Sequence, residues 1–496
     1  MMIIKLNKAQ YEYDIHSLIK AFYPEEEVKI LTPQSVIKDK KILEMPSAME
    51  LSFDKEQVTL QIGGTDAVST QSQIPAESHR YIWNPTEEEN SEYKNAFKRF
   101  LYHSLQKETG LSLPWGNLTG IRPTKIAMTM LEEGKDEKTI EDFLKTKHLV
   151  SAEKAALSVD IAGRENAILS RLHYADGYSL YIGIPFCPTT CLYCSFTSFP
   201  ISAWKERVAE YLNALEKEID YIASFYADKI LDTVYIGGGT PTSLSAKELD
   251  RLLSKIRKSF DFSTVQEFTV EAGRADSITE EKLRVLKKYG VTRISVNPQT
   301  MKQETLQFIG RRHTVEQVHD AFHMARETGF DNINMDIILG LPGETEADVR
   351  ATIEAIEKLS PDALTVHSLA VKRASKLAQW IAENGISTLH NTDATMQIAQ
   401  DGARRMEMLP YYLYRQKNMS GNFENVGYAK AGKYGIYNIL IMEEKQTIVA
   451  LGAGTVTKRV YGDGLIERCD SVKDVALYVE KIDEMIERKR RLLTDF

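Results

Sequence analysis

Residues 178–196 read YSLYIGIPFCPTTCLYCSF. An almost unbroken apolar run, of the kind a buried parallel strand shows, ends in a loop bearing Cys187, Cys191 and Cys194, three of the chain's four cysteines. Pro188 stiffens that loop. Three thiolates within eight residues can converge on one metal centre. Structural zinc usually closes with four ligands, and iron–sulfur clusters are usually held by four cysteines. Cys469 stands alone, far along the chain. Three protein ligands leave one position open, an arrangement tied to reactivity rather than to structure. An open iron–sulfur cluster is the favoured reading. Zinc completed by a distant histidine and a chance group of reduced thiols are the alternatives.

Working outward, five more β-rich runs follow at helical intervals: TVYIG (233–237), EFTVEA (267–272), TRISVNP (292–298), INMDIIL (333–339) and ALTVHSL (363–369). Amphipathic segments such as SAKELDRLLSKIRKSF lie between them. Strand and helix alternating six times predict a parallel sheet, an α/β core over 171–380. The unusual residues sit just after, or near the ends of, these strands. They are the cysteines, GGGTPT, Glu271, Gln299, Asp336 and the stretch His367–Ala370. Ligands bind at the carboxyl ends of strands in such folds, so these positions predict one shared site.

The flanks differ. Residues 1–170 mix β-like pieces (MELSFDKEQVTLQIGG) with helices, and Pro123 falls where a helix would begin, predicting an α+β domain. Residues 381–496 predict a smaller C-terminal α+β domain. LGAGT (451–455) reads as a turn, since a lone Gly-x-Gly is weak evidence of a dinucleotide loop. Composition is that of an ordinary globular protein, with 43% hydrophobic and 27% charged residues and a net charge of -8. Nothing calls for nucleic acid; the basic run Arg488–Arg491 reads as a solvated helix end. No apolar run is long enough for a membrane span, and no secretory leader is evident, so a cytoplasmic protein is expected.

CPTTCLYC has the spacing of the radical S-adenosylmethionine (SAM) enzymes, whose three cysteines hold a [4Fe-4S] cluster and whose fourth iron is chelated by SAM. The wider series GGGTPT, FTVEAGR, RISVNPQTM, IGRRHT and NMDIILGLPGET resembles the oxygen-independent coproporphyrinogen III oxidase group over about residues 178–375. The tail YLYRQKNMSGNFENVGYAK is most similar to its HemZ-type branch. The resemblance implies a partial (β/α)6 TIM-like barrel with Cys187, Cys191 and Cys194 as cluster ligands. It implies Tyr181 and Tyr193 beside a first SAM, Gly238 and Gly239 at its amino-acid end, and Glu271 on its ribose hydroxyls. Thr240, Gln299, Arg311, Asp336 and Ala370 match positions around a second SAM; whether one SAM or two bind stays open. Gln299, Arg311 and Asp336 are the candidate catalytic residues. Taken singly, GGGTPT is also a tight turn, Glu271 a helix cap, and Arg311 with Asp336 an ion pair.

Oxidative decarboxylation of coproporphyrinogen III is the activity implied, with a tetrapyrrole substrate, a flavodoxin- or ferredoxin-type reductant and a monomeric chain. Arg311, Lys372, Arg373 and Arg415 are candidates to hold substrate carboxylates. Two positions depart from the well-studied oxidases: Gly183 stands where they carry a histidine, and Phe196 where they carry a further cysteine. Haem-trafficking relatives carry His-Asn-x-x-Tyr-Trp where this chain has YNILIM (437–442). Action on haem or another tetrapyrrole, and haem carriage without turnover, are the alternative readings.

Overall fold

The structure, a computed structural model, describes residues 1–35, 47–54, 56–63, 78–120, 122–174, 176–196, 198–371, 375–384, 389–416 and 423–494. The chain forms two compact units, the first built on Met1–Ala162 and the second on Gly163–Ser420 and Glu424–Phe496.

The first unit holds β1 (Met2–Leu6), β2 (Val28–Leu31), β3 (Met49–Phe53), β4 (Val58–Ile62) and β5 (His79–Trp83) in the order β2-β1-β3-β4-β5. Alternation sets its inner face: Val58, Leu60 and Ile62 of β4 are fully buried while Gln61 is exposed. Against that face lie Phe22, of helix Glu12–Phe22, and Phe97, Leu101 and Leu105, of helix Tyr93–Thr109. Burial of each such side chain stabilises by roughly 1.5–3 kcal/mol. Pro123 caps helix Thr124–Glu132, and Asp136 caps helix Glu137–His148 by accepting from Thr139 N–H at 3.0 Å.

The second unit carries the six expected strands, β6 (Gly177–Ile184), then, after the short pair β7 (Phe186–Cys187) and β8 (Phe199–Pro200), β9 (Ile230–Gly238), β10 (Glu267–Gly273), β11 (Arg293–Val296), β12 (Ile333–Leu339) and β13 (Ala363–Ser368). Their neighbours follow chain order and all are parallel, as the alternation of strands and helices predicts. Both strand faces are covered, yet they differ in chemistry. Ile294 and Val296 of β11 pack away from the barrel interior, whereas Arg293 and Ser295 line it.

Residues 381–496, expected to form a smaller C-terminal α+β domain, add their strands to the sheet of the core. β14 (Leu409–Tyr414) and β15 (Asn425–Ala429) extend the sheet antiparallel from β13. On the other side β16 (Thr447–Leu451) runs parallel to β6 and is followed by β17 (Val456–Val460) and β18 (Ile466–Asp470), giving eleven strands in all. The reason is that β6 and β13 are otherwise open edges, with unpaired backbone groups that a later strand satisfies. LGAGT is the turn between β16 and β17, with Gly452 at φ 103° and Gly454 at φ 73°.

Helix Ile482–Leu493 anchors this last segment. Its Lys489 Nζ lies 2.5 Å from Glu218 of helix Val208–Phe225, with both side chains at most 1% exposed. Glu218 also accepts from Tyr478 Oη at 2.6 Å and from Gly452 N–H at 2.9 Å. A charge so buried is tolerable only when paired and hydrogen-bonded.

Candidate active site

Proline and the second strand aim the cysteine loop. Gly239 N–H donates to the Ile184 carbonyl at 2.8 Å, and Thr240 N–H to the Phe186 carbonyl at 2.7 Å. A Cβ on Gly239 would stand 2.5 Å from that Phe186 oxygen. Glycine at 239 is thus required by the main chain leading into Cys187; Gly238 is required by its φ of +106°. Thr240 Oγ1 then sits 3.4 Å from Cys187 Sγ. Arg274, only 2% exposed, clamps the loop from β10: it donates to the Thr189 carbonyl at 3.0 Å and to Thr189 Oγ1 at 2.6 Å, and is held by Asp276. Thr189 in turn donates to the Gly310 carbonyl at 2.9 Å.

Cys187, Cys191 and Cys194 are free thiols that share the wall of one cavity of about 380 Å³ with Tyr193, Gly238, Gly239, Thr240, Glu271, Gln299, Arg311, Asp336 and Ala370. Twelve of the thirteen expected site residues therefore meet there. Tyr181 is the exception: it stacks on Tyr235 (6.0 Å, 17°) and Tyr437 (5.8 Å, 18°) behind the lining. Burial raises the Cys187 and Cys194 thiols, against a hydrogen bond from Thr240 in the first case and hydrogen bonds at Phe196 and Ser198 in the second. Among the described residues no three His, Cys, Asp or Glu side chains gather around one point as a single ion needs. Three desolvated thiols that face one open cavity are a donor set suited to a polynuclear cluster with an open corner.

The carboxylates are sharply differentiated. Burial pushes Glu271 up to about 7, while the Tyr235 hydroxyl, donating at 2.5 Å, pulls the other way and the Asp336 charge adds to the rise. Burial also pushes Asp336 upward, but His367, Asn334 and Thr365 outweigh it and leave the carboxyl below its usual range. Asn334 Nδ2 donates to it at 2.6 Å and His367 Nε2 lies 3.9 Å away. Arg311 donates to the Asn297 carbonyl at 2.6 Å and to Tyr193 Oη at 3.3 Å, so its contacts are not those of an ion pair with Asp336. Gln299 is held at φ 69°, a left-handed backbone uncommon outside glycine, by bonds to β12: its N–H to the Asp336 carbonyl and Ile338 N–H to its own carbonyl, both 2.9 Å.

Of the other candidates, Arg415 is buried but is not in the cavity lining, and Lys372 and Arg373 lie outside the described residues. Phe196 is 75% exposed at the lining's edge. Gly183 is explained locally: a Cβ there would meet Thr455 Cγ2 at 2.6 Å, and its carbonyl accepts from Tyr211 Oη at 2.6 Å. Sequence reasoning missed Tyr235, Arg274, Arg293, Ser295, Asn334, Thr365, Tyr412, Tyr414 and Asn438 as lining residues, and named His367 only by its strand end. The signal was present as period-2 polarity within the apolar strands: R-S in RISV, N-D in INMDIIL, T-H in ALTVHS.

A thiol-bearing loop after the first strand, a glycine turn after the second and a buried carboxylate on the third, opening into one barrel, define a radical SAM core. Residues 181–356 match the Radical SAM superfamily. The chain is 42% identical over 425 residues, 84% of its own length and 85% of the relative's, to the oxygen-independent coproporphyrinogen-III oxidase-like protein HemZ of Bacillus subtilis. It is 34% identical over 277 residues, 56% of its length and 69% of the relative's, to the heme chaperone HemW of the same organism. The solved structure of Escherichia coli coproporphyrinogen III oxidase (HemN) superposes with a TM-score of 0.51 at 22% identity, covering 64% of this chain and 72% of that one. The chain belongs to the HemN/HemZ-type family of radical SAM proteins. Membership implies a [4Fe-4S] cluster and SAM, and the three thiols fit the first. No helix among the described residues is long and apolar enough to cross a membrane.

Proposed function

We propose that the protein catalyses oxidative decarboxylation of two propionate side chains of coproporphyrinogen III, giving the vinyl groups of protoporphyrinogen IX. The observation that carries this reading is the match to the HemZ-type relative over most of both chains, cysteine loop included. The propionate β-carbon holds an unactivated C–H bond that no side-chain base can ionise. A bound cluster and SAM would supply the radical chemistry needed to remove this hydrogen, after which the propionate would lose carbon dioxide and give one electron to an external acceptor.

The residues divide the remaining work. Cys187, Cys191 and Cys194 hold the cluster, and Arg274 fixes their loop. Glu271 accepts from the ribose hydroxyls of SAM. Gln299, Arg311, Asp336 and Ala370 border the neighbouring volume, where a second SAM or the reacting propionate lies. A cavity of about 380 Å³ admits side chains of the substrate rather than a whole macrocycle. Within this reading the reductant is a flavodoxin- or ferredoxin-type protein and the chain acts as a cytoplasmic monomer.

The test is anaerobic turnover with reconstituted cluster, SAM, reductant and coproporphyrinogen III, followed by mass spectrometry. Loss of two carboxyl groups with two equivalents of 5'-deoxyadenosine is expected. SAM cleavage over an unaltered tetrapyrrole overturns the substrate assignment. Likeness to HemW favours a second reading, haem carriage. Tight haem binding without SAM consumption distinguishes it.

A further inference from the structure

Arg293 begins β11 and lines the cavity, on the same strand connection that leads to Gln299. It is 2% exposed, yet its Nε and Nη2 reach no hydrogen-bond partner among the described residues. Ser295, two residues on and on the same face, likewise has a buried Oγ without a partner. Glu267 acts on it through its charge but makes no hydrogen bond to it, accepting from the backbone N–H groups of Ile436 and Tyr437. A guanidinium cannot escape its charge by losing a proton. Burying it with idle donors is unfavourable, and natural chains keep such a cost where it serves a ligand.

We propose that Arg293, with Ser295, forms a buried anion pocket that takes one carboxylate of the substrate as an anchor. The planar fork of arginine matches a carboxylate bidentately, and a serine hydroxyl completes the third donor. Under the tetrapyrrole reading, on which this assignment of the anion rests, the anchored group is a propionate that is retained. A guanidinium stabilises the ionised carboxylate and so opposes its loss as carbon dioxide; the reacting propionate belongs nearer the thiols.

Arg293→Met removes charge and fork while keeping an unbranched stem; Arg293→Lys keeps the charge alone. Full-length holoenzyme is titrated anaerobically with coproporphyrinogen III, with SAM and with sodium propionate, and the melting midpoint is recorded without ligand. A pocket built for a ligand predicts that the ligand-free midpoint of R293M equals or exceeds that of the natural chain. It predicts tetrapyrrole affinity weakened about tenfold or more, R293K intermediate, and SAM affinity unchanged when all are titrated at about pH 8.5, where Glu271 is largely ionised with or without the Arg293 charge. A lowered midpoint with unchanged tetrapyrrole affinity makes Arg293 structural and overturns the pocket. Weakened SAM instead of tetrapyrrole binding assigns the anion to SAM and also overturns it. If propionate stabilises the natural chain through Arg293 while coproporphyrinogen III does not bind, the pocket stands and the tetrapyrrole reading fails. If R293M binds and turns over coproporphyrinogen III as the natural chain does, the pocket fails and that reading stands.

Discussion

The Tyr235 hydroxyl donates to the Glu271 carboxylate at 2.5 Å, across adjacent strands and inside the barrel. Burial sets Glu271 near 7; the Tyr235 bond and the Gly238 N–H lower it, the Asp336 charge raises it and that of Arg293 lowers it. Only the ionised form accepts from ribose hydroxyls with full strength. SAM affinity is therefore expected to rise with pH through about 7 and to level off above it. In Tyr235→Phe the lowering bond is lost, so the midpoint moves upward and affinity at pH 7 drops about tenfold. Calorimetric titration from pH 6 to 8.5 checks both, and a flat profile removes Glu271 from SAM binding.

Arg274 ties the cysteine loop to β10 through Thr189. Arg274→Gln is expected to leave far-ultraviolet circular dichroism unchanged and to lower the iron retained after gel filtration about twofold, a loss of the kind seen when a ligand's supporting partner is removed. Iron analysis of matched reconstitutions decides it. Full iron retention makes the clamp irrelevant to cluster binding.

Gly183 and Thr455 compete for one small volume. Gly183→Ala is expected to cost on the order of 2 kcal/mol in urea unfolding, because the new methyl overlaps Thr455 Cγ2. Thr455→Ser removes that methyl and keeps the hydroxyl that donates to the Gly452 carbonyl at 2.8 Å. The double variant should recover much of the loss. Additive losses would show that the crowding comes from elsewhere.

In the first unit His148 is buried, 3.2 Å from Asn117 Oδ1. Burial first, then the charges of Lys98 and Arg99, lower it to about 4, against a smaller opposing pull from Glu92. The unfolded chain therefore binds a proton below about 6.5 that the folded chain refuses. Stability should be constant above that pH and fall as pH drops toward 4, by up to about 3 kcal/mol. Hydrogen-exchange protection factors across Glu137–His148, taken against the intrinsic rate at each pH, should fall accordingly, and His148→Gln should flatten the response. An unchanged slope in that variant would point to another titrating group.

How much of this was legible in the chain follows from where information is local. Cys-x3-Cys-x2-Cys and the six β-rich runs are written in short spans, and the strands of the barrel lie within a few residues of where those runs suggest. The role of 381–496 was not legible, because strand pairing between β6 and β16 is non-local and leaves no periodic mark. Gly239 was expected at the cofactor's amino-acid end from its motif alone; that the Phe186 carbonyl also forbids a side chain there could not be read from the chain. Arg293 was hidden by its apolar neighbours: a lone arginine at a strand start reads as a boundary until its face is known.

Glu218 and Lys489 lie 271 residues apart. At roughly 5–20 residues per second, ribosomes make the carboxylate some tens of seconds before its ammonium partner. β6 waits a similar time for β16, so the strand that delivers the thiols is held by β9 alone until the distal strand has been made. If the thiols hold a cluster, its loading is expected only after the distal segment has emerged, because until then the loop stands on a strand whose second neighbour is missing.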